Sequence, residues 1–433
     1  MAKSATFSLK LLIDEKINKV VLAEADQDFV DVLISLMSLP MGKIASLLEN
    51  HKKFQTVVLG CYRNLSRSVA DMGIEHFETE ACKSMLLNPK SSKEVHCRRL
   101  KLNMGDTDAT KFFMCANFLK KDNLCSNVYS NFNTSRCSCG ALMSSQILVP
   151  EEDQAGEVIG NSEHGVFVSC RSSFIVTDDL NVTLNSISAV MKVLHDIGYL
   201  GFKDLRETLL DVGFEEVLTL LGCLFTSETP LTCAFLGIPC MTRKLKMLSS
   251  PVQKTGRVEP SSAYSVKVFV RKLDWEIIYA ECNEDFVDSL LSFLIFPLEL
   301  AYSLSKQSND DTLLGCIGNL CRSPLVSEGK KIVKVFPDNP KVKPGTSSIR
   351  GSGFMKRNTK FIVSNDLTIT PMNSTSTIGL LKKMQVDFSD LEEHQISISR
   401  AELISILRAS LISSSALTNG LSYLLVKKPK EET

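Results

Sequence analysis

The sequence predicts an α+β protein built as two tandem, internally duplicated halves, and three observations carry that expectation. Short apolar runs of strand-like spacing alternate with longer stretches of helical period along most of the chain. The chain also repeats itself: FSLKLLIDEKINKVVLAEADQDFVD, starting at Phe7, returns as YSVKVFVRKLDWEIIYAECNEDFVD, starting at Tyr264. Finally, one cysteine-rich stretch, KFFMCANFLKKDNLCSNVYSNFNTSRCSCG from Lys111 to Gly140, occurs only once.

Each element follows from local chemistry. SerLeuLysLeuLeuIle and LysValValLeuAla read as two strands joined as a hairpin at GluLysIleAsn. Asp26, with Asn283 as its counterpart, is placed to cap the following helix. Asp28 and Asp31 then lie in its first turns, where negative charge suits the helix dipole. Val30, Leu33 and Met37 give that helix one apolar face, and Pro40 or Pro297 ends or kinks it. Val58, Cys61, Leu65, Val69 and Met72 recur at steps of three and four and predict a second helix. Gly60 and Gly315, beside Cys61 and Cys316, predict close helix packing there. The last part of each half is expected to repeat a strand (PheIleVal), a helix (around Val190 to Leu194 in the first half) and a further helix (around Val217 to Phe225).

The spacing of the repeats locates the single-copy segment. Glu24 and Glu281 are 257 residues apart, Leu59 and Leu314 are 255 apart, but Phe174 and Phe361 are only 187 apart. The first half is therefore 68 residues longer between the last two anchors, and the cysteines lie inside that difference. The expected organisation is a first half at residues 1–243 with a Cys-rich insert at about 90–160, a linker at 244–263, a shorter second half at 264–426 and a charged tail at 427–433.

Composition bounds the function. The 433 residues carry 49 Lys plus Arg and 49 Asp plus Glu, a net charge of zero. A duplex-binding chain normally shows a basic excess, so nucleic acid is not the expected partner. The first apolar run is broken at once by Asp14 and Glu15, so no secretory leader is expected. No run reaches the length of a membrane helix. The expectation is a cytoplasmic or nuclear chain, whose thiols stay reduced. There is no G-x-x-x-x-G-K-[ST], G-x-G-x-x-G or H-E-x-x-H motif.

The cysteine cluster is the strongest chemical signal. Cys115, Cys125, Cys137 and Cys139 offer four thiolates, enough for a closed tetrahedral structural zinc site. Their spacing, C-x9-C-x11-C-x-C, departs from paired C-x2-C knuckles, and His96 or Cys97 are alternatives for one ligand. The plain alternative is a loop of ordinary reduced thiols. Cys61 and Cys316, at equivalent positions, lack a nearby histidine in sequence and fall in phase with an apolar helix face, which reads as core. The recurring acids Glu24, Asp28 and Asp31, with Glu281, Asp285 and Asp288, read as helix-start electrostatics, and Asp178–Asp179, matched by Asn365–Asp366, as a turn.

Several of these stretches together resemble a plant family known as domain of unknown function 674. They are LeuLysLeuLeuIleAsp, AlaGluAla before AspPheValAsp, LeuGlyCys before AsnLeu, CysSerCysGly, GlyValPheVal before PheIleValThrAspAspLeu, and ProLeuThr. The resemblance covers nearly the whole chain and implies frequent duplication, but no activity and no catalytic residues. The second half departs from the pattern by lacking the Cys-rich segment.

The reading that follows is a non-enzymatic protein-interaction or scaffold protein with a structural zinc site in its first half and a protein partner. A second reading is an enzyme with a carboxylate-lined site between the halves, built from Asp28, Asp31, Asp179 and their counterparts. A third is nucleic-acid binding through the insert and its basic flanks, Arg98, Arg99, Lys101, Lys120 and Lys121.

Overall fold

The computed structural model describes residues 6–49, 51, 59–91, 93–105, 110–118, 129–137, 139–149, 165–168, 172–238, 263–305, 315–322, 353–373, 378–382 and 385–425. Helices and antiparallel strands are mixed, as the two hydrophobic periods require. β1 (Phe7–Asp14) alternates buried Phe7, Leu9 and Leu11 with exposed Ser8 and Lys10. It turns at Glu15–Asn18 into β2 (Lys19–Ala25), the hairpin read from the sequence. Asp26 then caps α1 (Gln27–Leu36), accepting the Phe29 N–H at 2.9 Å.

After α1 the chain passes Pro40 into α2 (Met41–Glu49), then α3 (Gly60–Asp71), whose buried face is Cys61, Leu65 and Val69. Next come α4 (Glu80–Leu87), the single turn α5 (Glu94–Cys97), and two short strands, β3 (Phe112–Met114) and β4 (Ser145–Ile147). The first half closes with β5 (Phe174–Thr177), β6 (Val182–Leu184), α6 (Ile187–Ile197), β7 (Leu205–Val212), α7 (Phe214–Thr226) and α8 (Pro230–Phe235).

From Tyr264 the described elements are β8 (Tyr264–Arg271), β9 (Ile277–Asn283), α9 (Glu284–Leu291), α10 (Leu298–Ser305) and α11 (Gly315–Arg322). They continue as β10 (Lys360–Ser364), β11 (Ile369–Pro371), β12 (Leu391–Ile398), α12 (Arg400–Ile412) and α13 (Ala416–Leu421).

Two five-stranded sheets result, in the orders β6-β5-β2-β1-β7 and β11-β10-β9-β8-β12, with β3-β4 as a separate pair. Each large sheet has a register shift at the corresponding place, between Leu12 and Ile13 and between Phe269 and Val270. The edge strands β7 and β12 were not anticipated. Their burial is largely one-sided, and β7 carries exposed Leu209 on its outer face, so the apolar alternation that marks a strand is weak.

One core serves both sheets. Phe7, Phe29, Leu33, Tyr62 and Phe174 belong to the same continuous buried cluster as Val266, Phe286, Cys316, Phe361 and Ile406. Ahead of the Cys-rich stretch, Leu102 and Met104 also join that cluster. Cys115, Cys137 and Met143 form a small cluster of their own beside the β3-β4 pair. Such a patch is too small to order a segment by burial alone, since each fixed residue costs about 1–2 kcal/mol of backbone entropy.

Gly60 and Gly315 do not mark close packing: a Cβ at either would meet nothing within 4 Å. Gly60 instead starts α3 directly after Leu59, which is held at φ 54°. Close approach occurs at Gly353, where a Cβ would stand 1.1 Å from Asp288 Oδ2.

Candidate metal centre

Cys115, Cys137 and Cys139 converge: their sulfurs all lie within 4.8 Å of one another, and Cys115 Sγ is 3.5 Å from Cys139 Sγ. Local backbone chemistry builds this. The Gly140 N–H donates to the Cys137 carbonyl at 2.8 Å, and the Cys137 N–H donates to the Ala141 carbonyl at 2.9 Å. Gly140 sits at φ 85°, a left-handed conformation that glycine adopts without strain. The tight turn folds Cys139 back over Cys137. On the opposite side, Cys115 follows β3, which is pinned by reciprocal backbone bonds between Phe113 and Ser130.

Four ligands at the usual zinc–sulfur length of about 2.3 Å put tetrahedral sulfurs about 3.8 Å apart. The 3.5 Å between Cys115 and Cys139 is close to that spacing and far from the ~2.05 Å of a disulfide. Cys115 and Cys137 are buried while Cys139 is exposed, so the cluster opens to solvent on one side. Cys125, the fourth predicted ligand, lies outside the described residues. His96 and Cys97, the alternatives, are not part of the group. Cys97 is in the body of the protein with its thiol 3.6 Å from the Ser38 hydroxyl, and His96 lies beside the Phe167 ring. Among the described residues this is the one group of three or more His, Cys, Asp or Glu side chains with converging ligand atoms.

The recurring acids go elsewhere. Asp31 is buried, and its carboxylate accepts the backbone N–H groups of Val166 (2.7 Å), Phe167 (2.8 Å) and Val168 (2.9 Å). Burial pushes its carboxyl up from the ordinary value, and those amides pull it back. Asp288 does the same for Phe354 (2.6 Å) and Met355 (2.9 Å). These acids therefore anchor backbone rather than merely complement a helix dipole, which is more than their position in the helix implied. Asp28 and Asp285 are exposed.

Asp178 is a second anchor. It accepts the Thr232 N–H at 2.9 Å and the Thr232 hydroxyl at 2.7 Å, and Thr232 Oγ1 in turn accepts the Val20 N–H at 2.9 Å. In the other half Asn365 Oδ1 accepts the Thr418 N–H at 3.0 Å, and Thr418 Oγ1 accepts the Ile277 N–H at 2.9 Å. The repeated LeuThr thus serves sheet architecture. Cys61 is fully buried, with its thiol pushed up to about 12 by burial, the environment of a core thiol rather than of a reactive one. Of the basic flank, Lys101 lies with Nζ 5.0 Å over the Phe7 ring, and Lys120 and Lys121 are outside the described residues.

The sequence missed a set of contacts that join the halves. Asn64 Nδ2 donates to the Asp366 carbonyl at 3.0 Å, and Asn319 Nδ2 donates to the Asp179 carbonyl at 2.8 Å. A signal existed: asparagine is kept at the same place in LGCYRNLSRS and LGCIGNLCRS while Tyr62, Arg63 and Ser66 are replaced by Ile317, Gly318 and Cys321.

Fold and site together define a mixed α+β protein with two large antiparallel sheets on one core and a compact cysteine cluster beside them. A family model described as "Protein of unknown function (DUF674)" matches residues 3–331 and 325–401, and the chain belongs to that family. No curated protein and no solved structure matches it. Among the described residues, no helix is long and apolar enough to cross a membrane.

Proposed function

We propose that the protein is a non-enzymatic interaction or scaffold protein whose first half carries a structural zinc site. The observation that carries this reading is the convergence of Cys115, Cys137 and Cys139; the proposal adds Cys125, from the same stretch of sequence, as the fourth ligand. Four thiolates make a closed site that holds a fold together and leaves no position for substrate. A stretch with so little core of its own gains folding free energy directly from metal binding.

The enzyme reading loses support from the carboxylates it needs. Asp31 is engaged by three backbone amides, Asp179 accepts from the side chains of Thr177, Asn181 and Asn319, and Asp28 is exposed. A protein partner is supported by exposed apolar side chains concentrated along residues 184–209, including Ile187, Met191, Leu200, Phe202 and Leu209. The halves are read as copies of one unit, on the internal repeats and on the shared strand order of the two large sheets. The chain divides, on this reading, at residues 244–263, and works in the cytoplasm or nucleus.

Elemental mass spectrometry on protein purified without a metal-affinity step tests the site. One zinc per chain, lost in Cys137→Ser, is expected. A metal-free wild type with an unchanged melting temperature in the variant would return these cysteines to ordinary thiols.

A further inference from the structure

Several contacts between the halves come in reciprocal pairs. Pro40 and Pro297, which are 257 residues apart, face each other in an isolated antiparallel bridge. On one side of it the Met41 N–H donates to the Phe296 carbonyl at 2.9 Å, and on the other the Leu298 N–H donates to the Leu39 carbonyl at 3.0 Å. Met41 corresponds to Leu298, and Leu39 to Phe296, by the same 257-residue shift. Each bond is therefore the image of the other. Proline has no N–H to give, so the bridge depends on these neighbours.

The same exchange holds away from this centre. α3 of the first half packs against β11 and α12 of the second. Its Asn64 binds the Asp366 carbonyl at 3.0 Å and its Cys61 thiol donates to the Ser413 carbonyl at 3.2 Å. α11 of the second half returns both contacts, Asn319 to the Asp179 carbonyl at 2.8 Å and Cys316 to the Ser227 carbonyl at 3.7 Å. Residue i meets j′ while j meets i′, which is the signature of an isologous, two-fold interface between like subunits. The buried cluster runs without a break through it.

We propose that this interface is a self-recognition surface, so that the halves bind each other as the subunits of a two-fold dimer do, and a half from a second copy of the chain can replace the tethered one. The contribution of the covalent connection is effective concentration, of about millimolar order, which keeps the pairing within one chain under ordinary conditions. The inference rests on hydrogen-bond reciprocity and stands whether or not the cysteines hold metal.

The test uses the full chain with a protease site inserted between Ser249 and Ser250. After cutting, native mass spectrometry and size exclusion at about micromolar concentration should find one particle holding both fragments, with the circular dichroism of the uncut chain. Asn64→Ala and Asn319→Ala should each weaken the cut complex about tenfold, the equivalent of one net hydrogen bond. When cut chains of two isotopic compositions are unfolded in urea and refolded together, hybrid pairs should form. Fragments that separate or precipitate on cutting, or refolding without hybrids, would overturn the proposal.

Discussion

Asp178 and Thr232 are joined by two bonds at once, the carboxylate taking the threonine N–H at 2.9 Å and its hydroxyl at 2.7 Å. Because Thr232 Oγ1 also receives the Val20 N–H, this one hydroxyl ties the turn after β5, the start of β2 and the start of α8 together. Thr232→Val keeps the shape but strands a buried carboxylate oxygen and a buried amide. The expected loss is about 1–3 kcal/mol, read as a lower urea midpoint at unchanged m-value. Thr232→Ser should lose much less. A loss in Thr232→Ser with none in Thr232→Val would mean that the methyl group, not the hydroxyl, matters here.

The Tyr199 hydroxyl donates to Asp14 Oδ2 at 2.5 Å and holds the Asp14 carboxyl below its ordinary value, with the Ile17 and Lys16 amides adding to the effect. A depressed carboxylate contributes stability above its unfolded pKa of about 3.9 and loses it as pH falls through the folded value. Tyr199→Phe should therefore be less stable than wild type near neutrality, and the gap should close in the acid range. Thermal melts from pH 7 down to 2 read this directly, and a gap that stays constant with pH would rule out Asp14 as its source.

Cys61 and Cys139 should differ sharply in reactivity. Burial pushes the Cys61 thiol up to about 12, whereas Cys139 is exposed. Iodoacetamide at pH 8 on native, chelator-treated protein should label Cys139 within minutes and Cys61 only on unfolding, as peptide mass spectrometry would show. Native labelling of Cys61 would reopen the nucleophile question.

The 3.5 Å between Cys115 Sγ and Cys139 Sγ is short enough to collapse into a disulfide when metal is absent. Peroxide treatment of chelated protein should give a Cys115–Cys139 crosslink, and added zinc should suppress it by holding both thiolates as ligands. The readout is the mass of the linked tryptic peptides. Zinc that fails to protect would count against a shared site.

Gly353 leaves no room for a side chain, since a Cβ there would overlap Asp288 Oδ2. Gly353→Ala should displace the carboxylate that holds the Phe354 and Met355 amides and cost about 1–3 kcal/mol, seen as a drop in melting temperature. Gly60→Ala, where a Cβ meets open space, should be close to neutral by the same measurement.

The sequence by itself determined whatever is written in short-range pattern. The β1–β2 hairpin follows from alternation around GluLysIleAsn, the start of α1 from Asp26, the buried face of α3 from Cys61, Leu65 and Val69, and the meeting of Cys115, Cys137 and Cys139 from their closeness in the sequence. Only the tertiary structure decided the destinations of polar groups whose partners lie far along the chain. Asp31 meets amides more than 130 residues away, and Asn64 meets a carbonyl 302 residues away. A helical wheel places both correctly on their helices and says nothing of what stands opposite. Hydrophobic period is set by burial of a face, which every local turn reports. A hydrogen bond between distant segments is set by how the faces dock, and that is fixed only when both sheets close on the shared core.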